Sequence, residues 1–490
     1  MDPLPVSPML PPTHWAVAAA WRAEALGLVS GYLPAQRSVP RMVVARALRE
    51  AAYRAASHPR PGLAEMTRGW YERFVEEFPE ADVEPGDSSA HPERLSPVRL
   101  LGGSVGGRYV DHVGRVSPGK GLFGNRQGPA DLPELSQVRA TGTLAAALTR
   151  FAVVEADPSV GEGGAALDRW EATVGFRSVS LSVGRETMGY GPATSGGVVL
   201  TGATLPRVEL QTTQPFRFPW LLRYLGPASG EVFVTRLEEP RHPGRPYFFG
   251  MRGAIQPHPR LDIGINRASV FGGDSIGTPV TFSTVGKMFL GILSADFENQ
   301  VVSADVRYRA PTESVIPVTL YMEWGAEDAS GAWWREPGRI FGLFVPAVPG
   351  VPQLALGVER TGFAKFCCGN PPWYLHLQQP GGWASGIHTL GHPLGGEGWE
   401  WMGYARAELM DARLRLGARA FTHERTAHGY DTPLRAGNQF APEHEGRSSG
   451  LQLDAAMRVH RHAEASALYF RDQGHSWNER RFQAGLSLLF

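Results

Sequence analysis

Two short motifs contain residue types that enzymes use. Residues 446–450 read Gly-Arg-Ser-Ser-Gly, which matches the G-x-S-x-G pattern of hydrolases. That chemistry requires the serine on a sharp turn from a strand into a helix, whereas this motif runs straight into a strand-like segment at Leu451. His388 and His392 lie four positions apart, but Pro393 follows directly and no third ligand is near in sequence. The motifs therefore predict neither a catalytic residue nor a metal site.

Signals of cofactor and nucleic-acid binding are also missing from the sequence. No glycine-rich phosphate loop follows a buried strand and opens a helix, so no nucleotide cofactor is expected. Lysine plus arginine number 48 and aspartate plus glutamate number 48, and this zero net charge argues against general nucleic-acid binding. These observations favour a protein without catalysis, cofactor or nucleic-acid partner.

Two other kinds of residue suit recognition rather than reaction. Arginines alternate with carboxylates along several segments, and a guanidinium can donate two hydrogen bonds to a carboxylate or to sugar hydroxyls. The same groups can instead pair across neighbouring strands and hold a polar wall together. Trp373, Tyr374, Trp383 and Trp399 flank a glycine-rich segment, where flat rings stack on sugars or form the cores of loops. The sequence leaves both alternatives open.

Amphipathic strands are the elements that would position these side chains. Near the end of the chain, every second residue is apolar: Phe482, Ala484, Leu486, Leu488 and Phe490. Because side chains alternate faces along a strand, this segment has one apolar face and one small or polar face. Five further segments alternate similarly: 302–309, 318–324, 401–409, 412–421 and 451–460. Met410 and Asp411 are predicted to form a tight turn.

Length distinguishes a sandwich from a barrel better than alternation does. Strands of about ten residues from residue 94 to the end would number about 16–18, at roughly 20–24 residues per strand and turn. A closed barrel accommodates that many strands without open edges, whereas a sandwich would have to split into domains. The terminal aromatic also resembles the closing strand of bacterial outer-membrane barrels. The fold prediction is all-β, a large antiparallel transmembrane barrel at residues 94–490.

The first 93 residues have helical rather than strand-like periodicity. Helices are predicted over 14–26, 40–55 and 62–78, followed by a linker rich in proline and glutamate. This region resembles a single S-layer homology unit, which implies a weak cell-wall contact, although Val43 stands where that family has an acidic residue. The alternative is a helical bundle that packs against the periplasmic mouth of the barrel. No signal peptide is visible, although delivery to the outer membrane requires one.

Several ordered blocks resemble the Wzi capsule-assembly family. They include Gly184-Arg185, Gly189-Tyr-Gly-Pro192 and Leu390-Gly-His-Pro-Leu-Gly-Gly396, with departures at Tyr190 and Gly202. The resemblance implies an 18-stranded outer-membrane barrel with a helical periplasmic element. It further implies a lectin that holds capsular polysaccharide at the cell surface, without catalysis or cofactor. The motif residues expected to shape loops are Gly184, Arg185, Tyr190, Gly191, Pro192, Gly391, His392, Pro393, Gly395 and Gly396.

The prediction is a non-enzymatic outer-membrane barrel that binds surface polysaccharide and contacts membrane lipid. The residues expected to contact sugar are Trp373, Tyr374, Trp383, Trp399, Arg406 and Arg415. A porin-like diffusion channel is the first alternative and an outer-membrane hydrolase the second. The redox state of the adjacent Cys367 and Cys368 is left open.

Overall fold

The structure is a computed structural model. The residues it describes are 6–12, 14–32, 38–57, 61–79, 99–113, 137–149, 151–176, 178–238, 241–274, 276–289, 298–327, 332–363, 373–374, 376, 379, 381–385, 388–395, 398–425, 446–475 and 478–489. The predictions on Cys367, Cys368 and Gly396 lie outside these residues, as does the predicted division between residues 93 and 94, which stays a prediction.

Eighteen antiparallel strands form one closed barrel, as predicted. They are β1 Arg99–Val113, β2 Gln137–Thr149, β3 Ala152–Gly161, β4 Gly164–Phe176, β5 Val179–Met188, β6 Ala203–Thr212, β7 Pro227–Arg236, β8 Tyr247–His258, β9 Leu261–Phe271, β10 Glu298–Arg309, β11 Thr319–Glu327, β12 Gly338–Val345, β13 Leu354–Phe363, β14 Gly398–Leu409, β15 Leu414–Arg425, β16 Gly446–His460, β17 Ala463–Gly474 and β18 Asn478–Leu489. The last strand pairs with the first, from Asn478 opposite Val113 to Leu489 opposite Gly102. The terminal segment is therefore the closing strand of the barrel.

Side-chain direction is inverted relative to a soluble protein. On β5, Val179, Leu181 and Val183 are exposed on the outer wall, while Ser180 and Ser182 are buried inside. The same division holds on β16, where Leu451 and Leu453 face outward and Gln452 faces inward. An apolar outer wall around a polar interior is what a membrane barrel requires, because lipid replaces water as the outer solvent.

The two ends of the barrel differ in their connections. At one end the strands are joined mostly by short turns, such as residues 259–260 and 461–462. Residues 162–163 also form a short turn, but at the opposite end. At the other end long connections follow β5, β9, β13 and β15. We call these the short-turn end and the long-loop end. One predicted turn was too short: Met410, Asp411 and Ala412 all have positive φ, of 55°, 55° and 62°, and β15 begins only at Leu414.

Three helices cover the short-turn end: α1 Trp15–Ala25, α2 Arg41–Ala55 and α3 Pro61–Glu77. Their bounds agree with the predicted helices to within one residue at all six ends. Trp70 and Phe74, one helical turn apart on α3, are fully buried in the core that the helices share. Among the described residues, no helix combines the length and the apolar character needed to cross a membrane.

Buried polar contacts attach these helices to the barrel. Arg22 on α1 donates to the carbonyl of Pro346 at 2.6 Å, and Arg73 on α3 lies 2.6 Å from Glu464 on β17. Met9 donates its backbone N–H to Glu155 on the inner wall of β3 at 3.1 Å. The helical region therefore lies in and across the short-turn mouth.

The remaining short elements lie outside the barrel strands and the three helices. They are α4 Phe282–Phe289, α5 Ala332–Arg335, the 3-10 helix Trp220–Leu225, and the two-residue strands Met9–Leu10, Val39–Pro40, Phe216–Arg217, Ala384–Ser385 and His388–Thr389.

Candidate functional site

The inner wall of the barrel consists largely of charged groups that neutralise one another. Arg207 lies 2.9 Å from Glu171, and Arg169 lies 2.8 Å from Glu186. Breaking such a buried pair leaves an uncompensated charge, so the network holds neighbouring strands in register. In this part of the wall the arginines pair with carboxylates of neighbouring strands.

The connection between β5 and β6 folds into the barrel. Residues 189–202 run through the lumen, where Tyr190 and the segment Val198–Leu200 are fully buried. The backbone N–H groups of Thr194 and Ser195 donate to the two oxygens of Glu359 at 2.5 and 2.7 Å. A wall carboxylate therefore fixes the tip of this inner loop.

The described residues of the connection between β13 and β14 pack against this inner loop. Tyr374 donates its hydroxyl to the carbonyl of Val198 at 2.6 Å, and the Trp383 indole N–H donates to the carbonyl of Val199 at 2.7 Å. Trp373 completes the layer, with its indole N–H donated to the carbonyl of Glu336 at 2.9 Å. We call these two connections together the plug. Three of the predicted sugar-stacking aromatics thus form the core of the plug, and Trp383 is 0% exposed.

Trp399 is in a different environment, on the outer wall at the long-loop end. The guanidiniums of Arg360 and Arg447 lie 5.0 and 5.4 Å from its ring centroid, and Arg360 lies 5.3 Å from the ring centroid of Trp401. The Arg447 side chain is 69% exposed and lies 3.3 Å from Glu424. We call Arg360, Trp399, Trp401, Glu424 and Arg447 the rim patch. Flat rings with guanidinium donors beside them can bind a ligand that has an apolar face and anionic or hydroxyl groups.

The two predicted arginines face inward and are remote from the rim patch. Arg406 lies on the inward face of β14, nearer the short-turn end than Glu400. Arg415 is close to the short-turn end, where it pairs with Glu464 beneath α3. The structure therefore does not bring the six predicted residues into one site. Sequence reasoning missed Arg360 and Arg447, although their outward parity beside Trp399 was a readable signal.

Ser448, the serine of the G-x-S-x-G motif, has a histidine neighbour that the sequence did not reveal. Its hydroxyl oxygen lies 2.7 Å from Nε2 of His423, directly opposite on β15. However, the Arg425 guanidinium contacts the same nitrogen, which opposes its use as a proton acceptor. Ser448 also sits in a regular strand and is buried, so the geometry lacks the exposed turn that a hydrolase requires.

The described residues contain no group of three histidine, cysteine, aspartate or glutamate side chains placed to hold a metal. His392 is fully buried and accepts a hydrogen bond from the backbone N–H of Leu394 through Nδ1 at 3.1 Å. Its role in this structure is to shape the plug.

The model of the capsule assembly protein Wzi family matches residues 134–480. The chain belongs to the Wzi family. Membership gives it a capsule-related role in the outer membrane, as predicted.

One solved structure shares the fold of this chain, and a second is less similar. The Escherichia coli protein Wzi, described as an outer-membrane protein involved in group 1 capsule assembly and a carbohydrate-binding β-barrel, is 17% identical, with a TM-score of 0.73 and 100% of both chains covered. The Pseudomonas aeruginosa outer-membrane protein OprD is 11% identical, with a TM-score of 0.46 over 80% of this chain and 94% of that one.

One curated relative matches only part of the chain. A Klebsiella pneumoniae protein described as an uncharacterized 55.8 kDa protein in the cps region is 24% identical over 169 residues. This match covers 32% of each chain, about a third of either protein.

Most of the Wzi-family motif residues lie in the plug. Gly191 has a φ of 84° and lies against the Glu323 carboxylate, while Pro192 continues the buried turn. Gly391 lies against the ring of Tyr374, and Gly395 has a φ of 84°. The other members are placed as follows: Gly184 and Arg185 on β5, the latter 2.7 Å from Glu238, Tyr190 at the start of the inner loop, and His392 and Pro393 in the plug. Such positions support the predicted structural role.

The S-layer homology resemblance stays a prediction. Arg41, the arginine of that resemblance, is buried, and its guanidinium lies 4.0 Å from the ring centroid of Phe78. In this structure the side chain therefore packs within the helical region.

Proposed function

We propose that the chain binds an acidic surface polysaccharide at the rim patch and holds it at the cell surface without cleaving it. The long-loop end faces outward and the helices at the short-turn end lie in the periplasm. Short turns inside and longer loops outside are usual for outer-membrane barrels, which supports this orientation.

The observation that carries the proposal is the placement of Trp399 between two arginines on an accessible wall. An aromatic girdle alone would account for Trp399 and Trp401, because such rings mark the edge of the lipid. It would not require Arg360 and Arg447 beside them. Guanidiniums beside exposed rings offer bidentate donors to carboxylates or hydroxyls next to an apolar surface. Acidic sugars combine these features.

Binding at this patch should depend on polymer length and on salt. Each exposed contact is weak, so affinity rises when one polymer engages several sites or several copies of the protein. Exposed guanidiniums are screened over about 10 Å at 0.1 M ionic strength, so higher salt should weaken binding. Trp373, Tyr374 and Trp383 could contact sugar only if the plug opened, and Arg406 and Arg415 only if the polymer entered the lumen.

The experiment compares the double variant Arg360→Gln/Arg447→Gln with Arg236→Gln. Arg236 is the matched control, because its guanidinium also lies over an outward ring, that of Tyr247, at 4.4 Å. Affinity of the purified barrel for acidic polysaccharide should fall roughly threefold to thirtyfold in the double variant, from the loss of two exposed charged contacts. The control should bind normally.

Cells provide the second measurement. Deleting the protein should release polymer into the medium while its synthesis continues, and the double variant should restore retention less well than the control. Unchanged affinity and retention in a folded double variant would refute the rim patch as the binding site.

The diffusion channel stays a second candidate because one side of the lumen is accessible. Ser104 and Thr141 face the lumen from β1 and β2 with their hydroxyl oxygens 2.6 Å apart, and Ser466 on β17 is exposed there. The plug packs on the other side of the barrel. Steady conductance of small solutes in planar bilayers, with full polymer retention in the deletion strain, would favour the channel.

A further inference from the structure

A groove separates the helical region from the barrel at the short-turn end. Its volume is about 720 Å³, and its walls come from the α1–α2 connection, α2 and the β6–β7 connection. Part of the lining is apolar, contributed by Val29, Val43 and Phe216. This depression therefore has room and apolar surface for part of a small amphipathic molecule.

The charged residues of the groove are mostly cationic. Arg46, Arg217 and Arg223 line it, against a single carboxylate from Glu50. Glu50 lies 2.7 Å from Arg54, which compensates much of its charge. The electrostatic preference of the groove is thus for an anion, and guanidiniums are suited to phosphate.

An exposed apolar segment forms the edge of this groove. It is the 3-10 helix Trp220–Leu225, which has no buried residue. Trp220 is 89% exposed and Leu221 is 81% exposed, while Tyr224 supports the guanidinium of Arg223 at 5.0 Å. Tryptophan and tyrosine beside leucine and arginine are typical of the boundary between lipid and water.

The segment is continuous with the apolar outer wall. Val208 and Leu210 face outward on β6, which leads into the connection, and Val234 faces outward on β7, which follows it. Tyr308 is exposed on the outer wall near the short-turn end of β10. Lipid against this wall would therefore end close to the exposed segment.

We propose that the groove binds the phosphate headgroup of an anionic phospholipid in the leaflet at the short-turn end. Arg217 and Arg223 contact the phosphate, while Trp220 and Leu221 insert beside the acyl chains. A lipid is favoured over a protein partner because the exposed segment adjoins the lipid-facing wall and the groove combines apolar lining with cationic charge. This inference does not depend on polysaccharide binding at the opposite end.

The first test measures the depth of the segment. A nitroxide is attached at Leu221→Cys in full-length protein reconstituted into phosphatidylcholine vesicles containing phosphatidylglycerol, after Cys367→Ser and Cys368→Ser. Tyr53→Cys is the control, because Tyr53 is 82% exposed on α2 at the same end. The label at 221 should be accessible to oxygen and protected from a water-soluble nickel relaxer, and the label at 53 should show the reverse. Equal exposure of both labels to the nickel reagent would overturn insertion.

The second test identifies the headgroup contact. Native mass spectrometry of protein released from the same vesicles should show retained phosphatidylglycerol, and Arg217→Gln/Arg223→Gln should lower that retention about tenfold. The charge-matched control is Arg68→Gln/Arg413→Gln, at exposed positions of the same end. Equal retention in both double variants would overturn the lipid site.

A third readout separates lipid from a second copy of the chain. Dipolar coupling between labels at position 221 should be absent at high dilution in lipid. Coupling that persists in dilute samples would identify a protein interface and overturn the proposal.

Discussion

At the residue scale, Gly191 shows how strictly the plug fixes a backbone position. Its φ is 84°, and a β-carbon added there would lie 2.3 Å from an oxygen of Glu323. Gly191→Ala should therefore lower the free energy of unfolding by about 1–3 kcal/mol, through backbone strain and displacement of the carboxylate. Gly253→Ala is the control, since a β-carbon there would meet nothing within 4 Å. Urea unfolding in vesicles measures both, and equal stability would contradict a fixed plug.

The Ser448–His423 contact leads to a second prediction. Because Arg425 contacts the same imidazole nitrogen and Ser448 is buried in a strand, the serine should not act as a nucleophile. A fluorophosphonate probe should leave the folded protein unlabelled, and Ser448→Ala should retain polysaccharide normally. Labelling that disappears in Ser448→Ala would revive the hydrolase alternative.

Individual site residues were less predictable than the fold. The sequence left open whether the loop aromatics stack on sugars or form loop cores, and Trp383 has its hydrogen-bond and packing partners inside the barrel. Two connections that are far apart in sequence fold into the barrel and contact each other there. No periodic pattern in the sequence predicts such a contact. Trp399 was also expected in a loop, but it lies on β14, where the alternation of side chains along the strand directs it outward.

At the element scale, strand parity determines which substitutions the barrel tolerates. Leu453 faces outward near the middle of β16, so Leu453→Arg should cost about 2–4 kcal/mol in lipid. Ser466→Arg on the inner parity of β17 should cost less than about 1 kcal/mol, because that position is exposed to the lumen. Heat-modifiable mobility and urea midpoints would report both. Equal tolerance would contradict the assigned lipid face.

The strands could be predicted from sequence because alternation is a local property. The segments predicted at 302–309 and 451–460 lie within β10 and β16. The turn after β14 was misjudged because three successive non-glycine residues adopt positive φ, which sequence preferences disfavour. Contacts with α3 accompany this conformation: Arg73 contacts the carbonyl of Ala412.

At the scale of the whole molecule, Glu77 makes the helical region sensitive to acid. Burial of the Glu77 carboxylate opposes its ionisation. The His14 imidazole Nε2, which lies 3.0 Å from a Glu77 carboxylate oxygen, favours the ionised form through its charge and hydrogen bond, and Arg73 and the Trp15 indole add to this effect. Together these groups lower the pKa of Glu77 to about 2. An acid with a depressed folded-state pKa stabilises the fold above its unfolded pKa, here 4.5, and loses that contribution as pH falls towards 2.

Pepsin cleavage of the helical region should therefore accelerate between about pH 4 and pH 2 in the unaltered chain. Glu77→Gln should lose about 3 kcal/mol at neutral pH and show a flatter dependence on acid. Glu65→Gln, at an exposed position of the same helix, should behave like the unaltered chain. A steep acid response in Glu77→Gln would assign the sensitivity to other groups.

The pairing of β18 with β1 has a consequence for biogenesis. The paired residues, such as Leu489 and Gly102, come from opposite ends of the barrel sequence. This pairing therefore has the largest entropic cost of loop closure. Neighbouring hairpins can form first, but until the seam closes both terminal strands expose unpaired backbone groups that invite aggregation. The chain must therefore be shielded in transit, because one edge of β1 has no partner until β18 reaches it, although its other edge pairs with β2. Closure of this seam, rather than formation of any hairpin, should set the pace of assembly.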